Sequence, residues 1–389
     1  MDDIGRFAES VRSAQNGNER IVNMLESKLL DLNVDKTNFL LMGNKTQCKK
    51  LKAQIEKNPL TINGHPMKEV VCLKYLGDSL CSTVEESIHQ TVIKIIGIAK
   101  KAVFEVRAVI EDKRSNKIGG FNVALEIWDA AIVPMLLNNC ESWLSIPKKT
   151  LKVLDDLFNI FYRSLFRRGS GCPKANLYWQ CGTLTVDNII LQKKLLFIFH
   201  LANLPRDSLA YELFSIQETQ GLFGLLTENE EHLSKLAFHE SRQMSKWHFK
   251  KLVREYIYKR QSEMLLNTIK GYKKISYEQC SKEVFKRKQY FFELDLNQIR
   301  DRFRISSGMI DVKANFPNKY KYNLDCESCS ETNKQTDRQT VTPTETQSHL
   351  IETCPAYSDL REEYDTETDL GLVNFFKAVM ERRAETVDN

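Results

Sequence analysis

Leu60-Thr61-Ile62-Asn63-Gly64, followed by Glu69-Val70-Val71-Cys72-Leu73-Lys74-Tyr75-Leu76-Gly77, is the last part of this 389-residue chain that reads as β-structure. An Asn-Gly between β-prone runs signals a hairpin, although the second run starts a few residues late for a two-residue turn. Toward the N-terminus, Thr37 to Gly43 reads as a short strand ending at a glycine, and Lys45 to Lys57 as a charged, exposed helix. Farther back, Phe7, Val11, Ala14, Ile21, Leu25 and Leu32 recur at intervals that put them on one helix face. Beyond Gly77 the pattern turns helical. Ile88 to Ile110, Phe121 to Asn138, Lys148 to Arg168 and Thr185 to Leu204 carry apolar residues at helical spacing, punctuated by Gly119-Gly120, Pro147, Gly169-Ser170-Gly171 and Pro205. Ser215 to Glu240 is weaker and reads as a connector. The expectation is an α+β segment followed by a mostly helical one.

The length allows two or three domains and a sizeable core. The N-terminus is acidic and lacks the basic, then apolar, order of a signal peptide. The longest apolar runs, such as Leu195-Leu196-Phe197-Ile198-Phe199, are too short to cross a bilayer. Most of the ten cysteines, Cys72, Cys81 and Cys140 among them, sit singly on apolar backgrounds and read as buried thiols, which fits a cytoplasmic or nuclear compartment. The net charge of +5 is unevenly placed: Arg242 to Arg304 holds 17 basic against 7 acidic residues, leaving the rest of the chain net acidic. Such an excess suits a polyanionic partner or a solvated helix face.

Three sets of residues could carry chemistry. Nucleotidyl transfer uses two Mg²⁺ ions held by carboxylates from separate strands, and an Asp-Asp at a tight turn supplies part of such a site. Asp2-Asp3 is one candidate; Asp155-Asp156, the other Asp-Asp pair, lies on an amphipathic helical pattern and reads as helix-surface acid. Second, Cys326-x2-Cys329 and His349-x4-Cys354 each fit one edge of a tetrahedral Zn²⁺ site with no open position, hence structural. The other reading of that set is three free cysteines and a surface histidine. Third, Arg163, Arg167 and Arg168 lead into a glycine loop and Lys174, and Phe285-Lys286-Arg287-Lys288-Gln289-Tyr290-Phe291-Phe292 is a denser basic and aromatic cluster. Lysine and arginine can contact phosphates while aromatic rings stack on unpaired bases. Alternatively Phe291, Phe292 and Phe303 are core, and the cations solvate the other face.

Read together, four elements resemble the rear part of a reverse transcriptase of the non-LTR retrotransposon type found in invertebrate elements. Met1-Asp2-Asp3 resembles the family's x-Asp-Asp box, and Leu30-Asp31-Leu32-Asn33-Val34-Asp35-Lys36-Thr37 its Leu-x-x-Asn-x-x-Lys-Thr element. Ile62-Asn63-Gly64 and Lys74-Tyr75-Leu76-Gly77 resemble, in turn, the hairpin and the Tyr-Leu-Gly element of its primer grip. The resemblance implies RNA-directed DNA polymerase ancestry, a nucleotidyltransferase of a transposable element. Asp2 would be a Mg²⁺ ligand with Asp3 beside it, Lys36 would sit near the triphosphate, and Tyr75, Leu76 and Gly77 would position the primer end. Ser348 to Tyr357 resembles the zinc knuckle that ends many such enzymes, with a Thr/Gln-rich patch inserted at 331–347 that is expected to be disordered. Loop-closure cost grows slowly with length, so a zinc site tolerates this insertion.

The implied organisation is a partial polymerase palm over 1–80, a thumb-like helical region over 81–225, a basic helical connector over 226–310 and a zinc-knuckle-like module over 311–389. The family's fingers and its earlier Asp-bearing strand precede the x-Asp-Asp box, so the resemblance also implies a reading frame opened at an internal methionine or a truncated element copy. The chain is expected to bind nucleic acid, namely element RNA and primer or target DNA, not to polymerise alone, and not to enter a membrane. A non-enzymatic zinc-containing nucleic-acid-binding protein and an inert remnant are the alternatives.

Overall fold

Asn44 opens a helix with a reciprocal cap. Its side chain accepts from the Gln47 N–H at 2.8 Å while Gln47 Oε1 accepts from the Asn44 N–H at 3.3 Å, a reciprocal capping box that fixes the start of α2 (Lys45–Lys57). The computed structural model describes residues 6–75, 78–111, 120–167, 173–222, 224–270, 287–310, 312–316, 319, 321, 323–327, 329–330 and 342–387. Among these the protein is mostly helical, with its six short strands confined to Asn38–Cys81, an α+β arrangement.

The chain forms two units, each gathered from distant segments: one holds Met1–Ile98, Asn138–Leu154 and Phe197–Leu233, the other Ala99–Leu137, Asp155–Leu196 and Ser234–Asn389. In the first, α1 (Val11–Ser27) lies against β2 (Thr61–Ile62), where the Gln15 side chain both accepts from the Thr61 N–H at 2.9 Å and donates to its hydroxyl at 3.1 Å. The predicted helix is shorter than its apolar pattern because Ser10 caps it at one end. β1 (Asn38–Phe39) pairs in parallel with β4 (Lys68–Glu69).

The hairpin is where the sequence reading needs correction. Asn63 and Gly64 have φ of +47° and +75°, so they do form a two-residue turn, but β2 pairs with β3 (His65–Pro66) and not with the longer run that follows. That run, β5 (Cys72–Tyr75), pairs instead with β6 (Asp78–Cys81), a strand where helix was expected. Its alternation is hidden because the inward residues are Ser79 and Cys81, both buried and neither strongly apolar. Their backbone N–H groups donate to the Thr91 and Ser87 hydroxyls of α3 (Val84–Glu111) at 2.9 and 2.8 Å. Cys72, read as buried, is exposed. Gly64→Ala should destabilise this unit by about 1–2 kcal/mol, because a Cβ is disfavoured at positive φ; urea melts would measure it, and an unchanged midpoint would refute the turn assignment.

The second unit is built on aromatic side chains. Trp128 stacks on Phe161 of α6 (Lys148–Leu165) with ring centroids 4.0 Å apart and meets Phe158 edge-on at 4.9 Å. The helix expected over Phe121 to Asn138 is broken into α4 (Gly120–Ile127), a π-helical turn at Trp128–Ile132 and α5 (Val133–Leu136). Pro134, which cannot donate an N–H, follows that wide turn. Next come α7 (Lys174–Cys181) and α8 (Val186–Ala202). The expected connector at Ser215–Glu240 is helical too: α9 (Leu209–Gln220), α10 (Leu225–Glu228), α11 (Glu230–Lys235) and α12 (Phe238–Ser241). α13 (Lys246–Lys270), α14 (Tyr290–Glu293) and α15 (Leu296–Ser306) lie in the basic stretch, of which 271–286 fall outside the described residues, and α16 (Gln347–Glu352), α17 (Ser358–Glu363) and α18 (Asp369–Val387) follow. Among the described residues no helix is long and apolar enough to cross a membrane.

Candidate metal centre

α16 is six residues long, and its first turn is set by Thr346, whose hydroxyl accepts from the His349 N–H at 3.0 Å. This cap places His349 one turn before Cys354, whose N–H donates to the His349 carbonyl at 2.8 Å. Across from them, Cys326 is fixed by an N–H bond to the Pro343 carbonyl at 2.9 Å, beside an antiparallel bridge between Asp325 and Thr344. The ligand atoms of Cys326, Cys329, His349 and Cys354 consequently all lie within 4.8 Å of one another.

The spacing inside this cluster fits a metal and excludes a disulfide. Cys326 Sγ is 3.7 Å and Cys329 Sγ 3.9 Å from Cys354 Sγ, and Cys329 Sγ is 3.3 Å from His349 Nε2. A disulfide needs about 2.05 Å between sulfurs. A tetrahedron with Zn–S bonds of about 2.3 Å has sulfur–sulfur edges of about 3.8 Å. The three thiols are buried, which removes solvent as a competing ligand, and the imidazole is half-buried.

The surroundings also orient the ligands. His349 Nδ1 lies 2.9 Å from the Thr353 hydroxyl, which in turn donates to the His349 carbonyl at 3.4 Å. The Thr353 contact fixes the ring orientation and leaves Nε2 facing the Cys329 sulfur at 3.3 Å. The contact with Cys354 holds the pKa of the Cys326 thiol well below the ordinary thiol range. That same contact, then burial and the charge on Cys326, push Cys354 far above the ordinary thiol range. Burial, then the charge on Cys326, raises Cys329. Crowding three thiols together opposes ionising all of them at once, a cost that a cation among them would offset. A Cys3His set closed by four protein atoms suits a structural zinc ion, which would cross-link the segments around residues 326 and 354.

Behind the cluster is a polar support that the sequence reading missed. Glu345 is buried; its carboxylate accepts from the Lys313 N–H at 3.1 Å and pairs with Arg383 at 3.1 Å, and its backbone N–H donates to Leu324 at 2.8 Å. Lys313, also buried, sends Nζ to the Asp325 carbonyl at 2.9 Å and to Glu327 at 2.8 Å. The insertion expected to be disordered over 331–347 is therefore ordered at its C-terminal end, from 342 onward; residues 331–341 lie outside the described residues.

The remaining candidates are dispersed. Asp2, Asp3, Leu76, Gly77, Arg168 and Lys286 lie outside the described residues. Lys36 is exposed in a short 3₁₀ turn, and Tyr75 pairs with Asp78 in the β5–β6 hairpin. Asp155 accepts from Lys174 Nζ at 2.6 Å and from the Tyr178 hydroxyl at 3.0 Å, and Lys174 also lies 3.7 Å from Asp156. Both acids are on α6, as expected for helix-surface carboxylates. Arg163 is half-buried, and Arg167 pairs with Glu111 at 3.2 Å. Arg287 pairs with Asp129 at 3.0 Å and Glu126 at 3.4 Å, while Lys288 lies over the Trp179 ring at 5.6 Å. Phe291 and Phe303 are fully buried and only Phe292 is half-exposed, so the core reading holds for two of those three rings. Among the described residues the Cys3His cluster is the one group of three or more metal-ligating side chains brought together. Comparison with known proteins finds no matching family model, no matching curated protein and no matching solved structure.

Proposed function

We propose that the chain derives from a non-LTR retrotransposon reverse transcriptase and acts as a nucleic-acid-binding module organised by a structural zinc site, without polymerising by itself. The observation that carries this reading is the convergence of Cys326, Cys329, His349 and Cys354 within 4.8 Å across a 28-residue span. Zinc-knuckle spacing marked those four residues, and it stands downstream of the x-Asp-Asp, Leu-x-x-Asn-x-x-Lys-Thr and primer-grip elements in the order that family has. The tight Asn63-Gly64 turn adds support. Against polymerisation by this chain stands the engagement of Asp155 and Asp156 by Lys174, which leaves them unsuited to form the second carboxylate strand of a Mg²⁺ site.

The chain should bind RNA with an affinity that falls steeply as salt rises, and should give no primer extension on an RNA template with Mg²⁺. Filter binding across a salt series and a radiolabelled extension assay test the two halves. Robust synthesis that Asp2→Ala abolishes would overturn the second half, and salt-independent binding the first.

A further inference from the structure

We infer that the exposed face of α13 is a strip for single-stranded nucleic acid, with Trp247 and Tyr258 stacking on unpaired bases and Lys250, Lys251 and Arg254 meeting phosphates. This deepens the nucleic-acid reading above and rests on it. Of the four tryptophans, Trp128, Trp143 and Trp179 are buried, whereas Trp247 is 65% exposed. A single exposed apolar side chain is ordinary, as Phe104 and Leu209 show, so the meaning of this indole rests on what surrounds it.

The neighbours of that indole specify the partner. Trp247, Lys251, Arg254 and Tyr258 follow one another at intervals of four, three and four, so they line one helix face. Lys251 Nζ lies over the Trp247 ring at 5.8 Å, and the Arg254 guanidinium over the Tyr258 ring at 5.1 Å, with its Nε–H donating to the Tyr258 hydroxyl at 2.9 Å. Each ring thus carries a cation over one face, so a base would stack on the other while the cation meets a phosphate. Of the acids of this helix, Glu263 lies on the far side, while Glu255 flanks the line at about 70°, opposite Lys250. From Trp247 to Tyr258 the strip runs roughly 16 Å at 1.5 Å per residue. That covers about five phosphates of a stacked strand.

Two contrasts locate the strip here and not elsewhere. Arg167, Lys174 and Arg287, basic residues first singled out by sequence, hold carboxylates within the fold. Among the described residues no carboxylate pairs with Lys250, Lys251 or Arg254. Meanwhile Phe249, Val253, Ile257, Leu265 and Ile269 of the same helix are buried, so α13 cannot roll to cover Trp247 without exposing them. Unpaired bases are favoured over duplex because an indole needs an open base face, which stacking inside a duplex removes.

Trp247 supplies the readout. With the full chain, a 12-nucleotide oligo(dT) or oligo(rU) should quench tryptophan emission saturably, and Trp247→Phe should abolish that quenching. Trp247→Ala should weaken binding about tenfold. The triple variant Lys250→Gln, Lys251→Gln, Arg254→Gln should flatten the slope of log affinity against log salt by about 2, at about 0.7 per lost phosphate contact. Circular dichroism on these surface variants verifies that helix content is retained. If the triple variant binds RNA like the parent, the strip is wrong while nucleic-acid binding stands. If no oligonucleotide binds at all, both readings fall. Equal quenching by heparin, or concentration-dependent shielding of Trp247 from acrylamide without nucleic acid, overturns the strip in favour of a general polyanion or a second copy of the chain.

Discussion

Cys354→Ser is expected to abolish stoichiometric zinc binding and to loosen the C-terminal segments that the ion joins. Cys354 is the most central ligand, with both other sulfurs within 3.9 Å and no exposure to solvent. At free zinc a thousand times its dissociation constant, the ion stabilises the folded form by about 4 kcal/mol, and that contribution disappears with the ligand. Elemental analysis should find one zinc in the parent chain and none in the variant, and EDTA should lower the parent's melting temperature but leave the variant's unchanged. Thr353→Val makes the argument sharper. It leaves four ligands in place but removes the hydroxyl partner of His349 Nδ1, so zinc should still bind, about 10–100-fold more weakly. A parent protein that melts identically with and without chelator would refute the site.

The four ligands were legible because metal chemistry imposes spacing on sequence: a Cys-x2-Cys and a His-x4-Cys announce themselves whatever lies between. Glu345 and Lys313 obey no such spacing rule. Glu345 sits in a Thr/Gln-rich stretch whose composition argues against structure, yet tertiary contacts to Lys313, Leu324 and Arg383 order it. The same divide runs through the rest of the fold. Asn63-Gly64 was readable as a turn because positive φ restricts the residue type, but its partner strand is only two residues long and carries a proline, so no pattern betrayed it. β6 was missed because its inward positions are Ser79 and Cys81, made buriable by hydroxyls on α3 that a local reading cannot see. On α13 the difficulty is reversed. Trp247 counts as core by residue type, so only its exposure in the folded chain identifies the strip.

Glu111→Gln is expected to damage the second unit strongly and independently of the metal cluster. A single carboxylate oxygen of Glu111 receives Arg107 at 3.2 Å, Arg167 at 3.2 Å and Arg300 at 3.4 Å. Arg300 is nearly buried, and its Nε–H also donates to the Leu165 carbonyl at 2.9 Å, where the last turn of α6 leaves acceptors unsatisfied. Burial, then the neighbouring charge of Arg167, lowers Arg300 to about 10, still charged at neutral pH. Removing the one anion therefore leaves three guanidinium groups facing one another, one of them out of water. Breaking a buried pair costs about 3–5 kcal/mol, and the partial exposure of Glu111 places this case toward about 3. The pH dependence follows with a definite sign. Hydrogen bonding from Arg167, with Arg107, lowers the Glu111 pKa in the folded state, so its stabilisation is complete above the ordinary glutamate value of 4.5 and is lost as pH falls through the lowered one. Denaturant melts between pH 3 and 7 should show an acid-side loss in the parent that is smaller in Glu111→Gln. Replacing the pair together, Glu111→Leu with Arg300→Met, should recover part of the loss, since two apolar side chains leave no charge buried. Recovery would be incomplete because the Leu165 carbonyl loses its donor, and a double variant no better than Glu111→Gln would mean that the carbonyl contact, and not the ion cluster, holds α15 to α6.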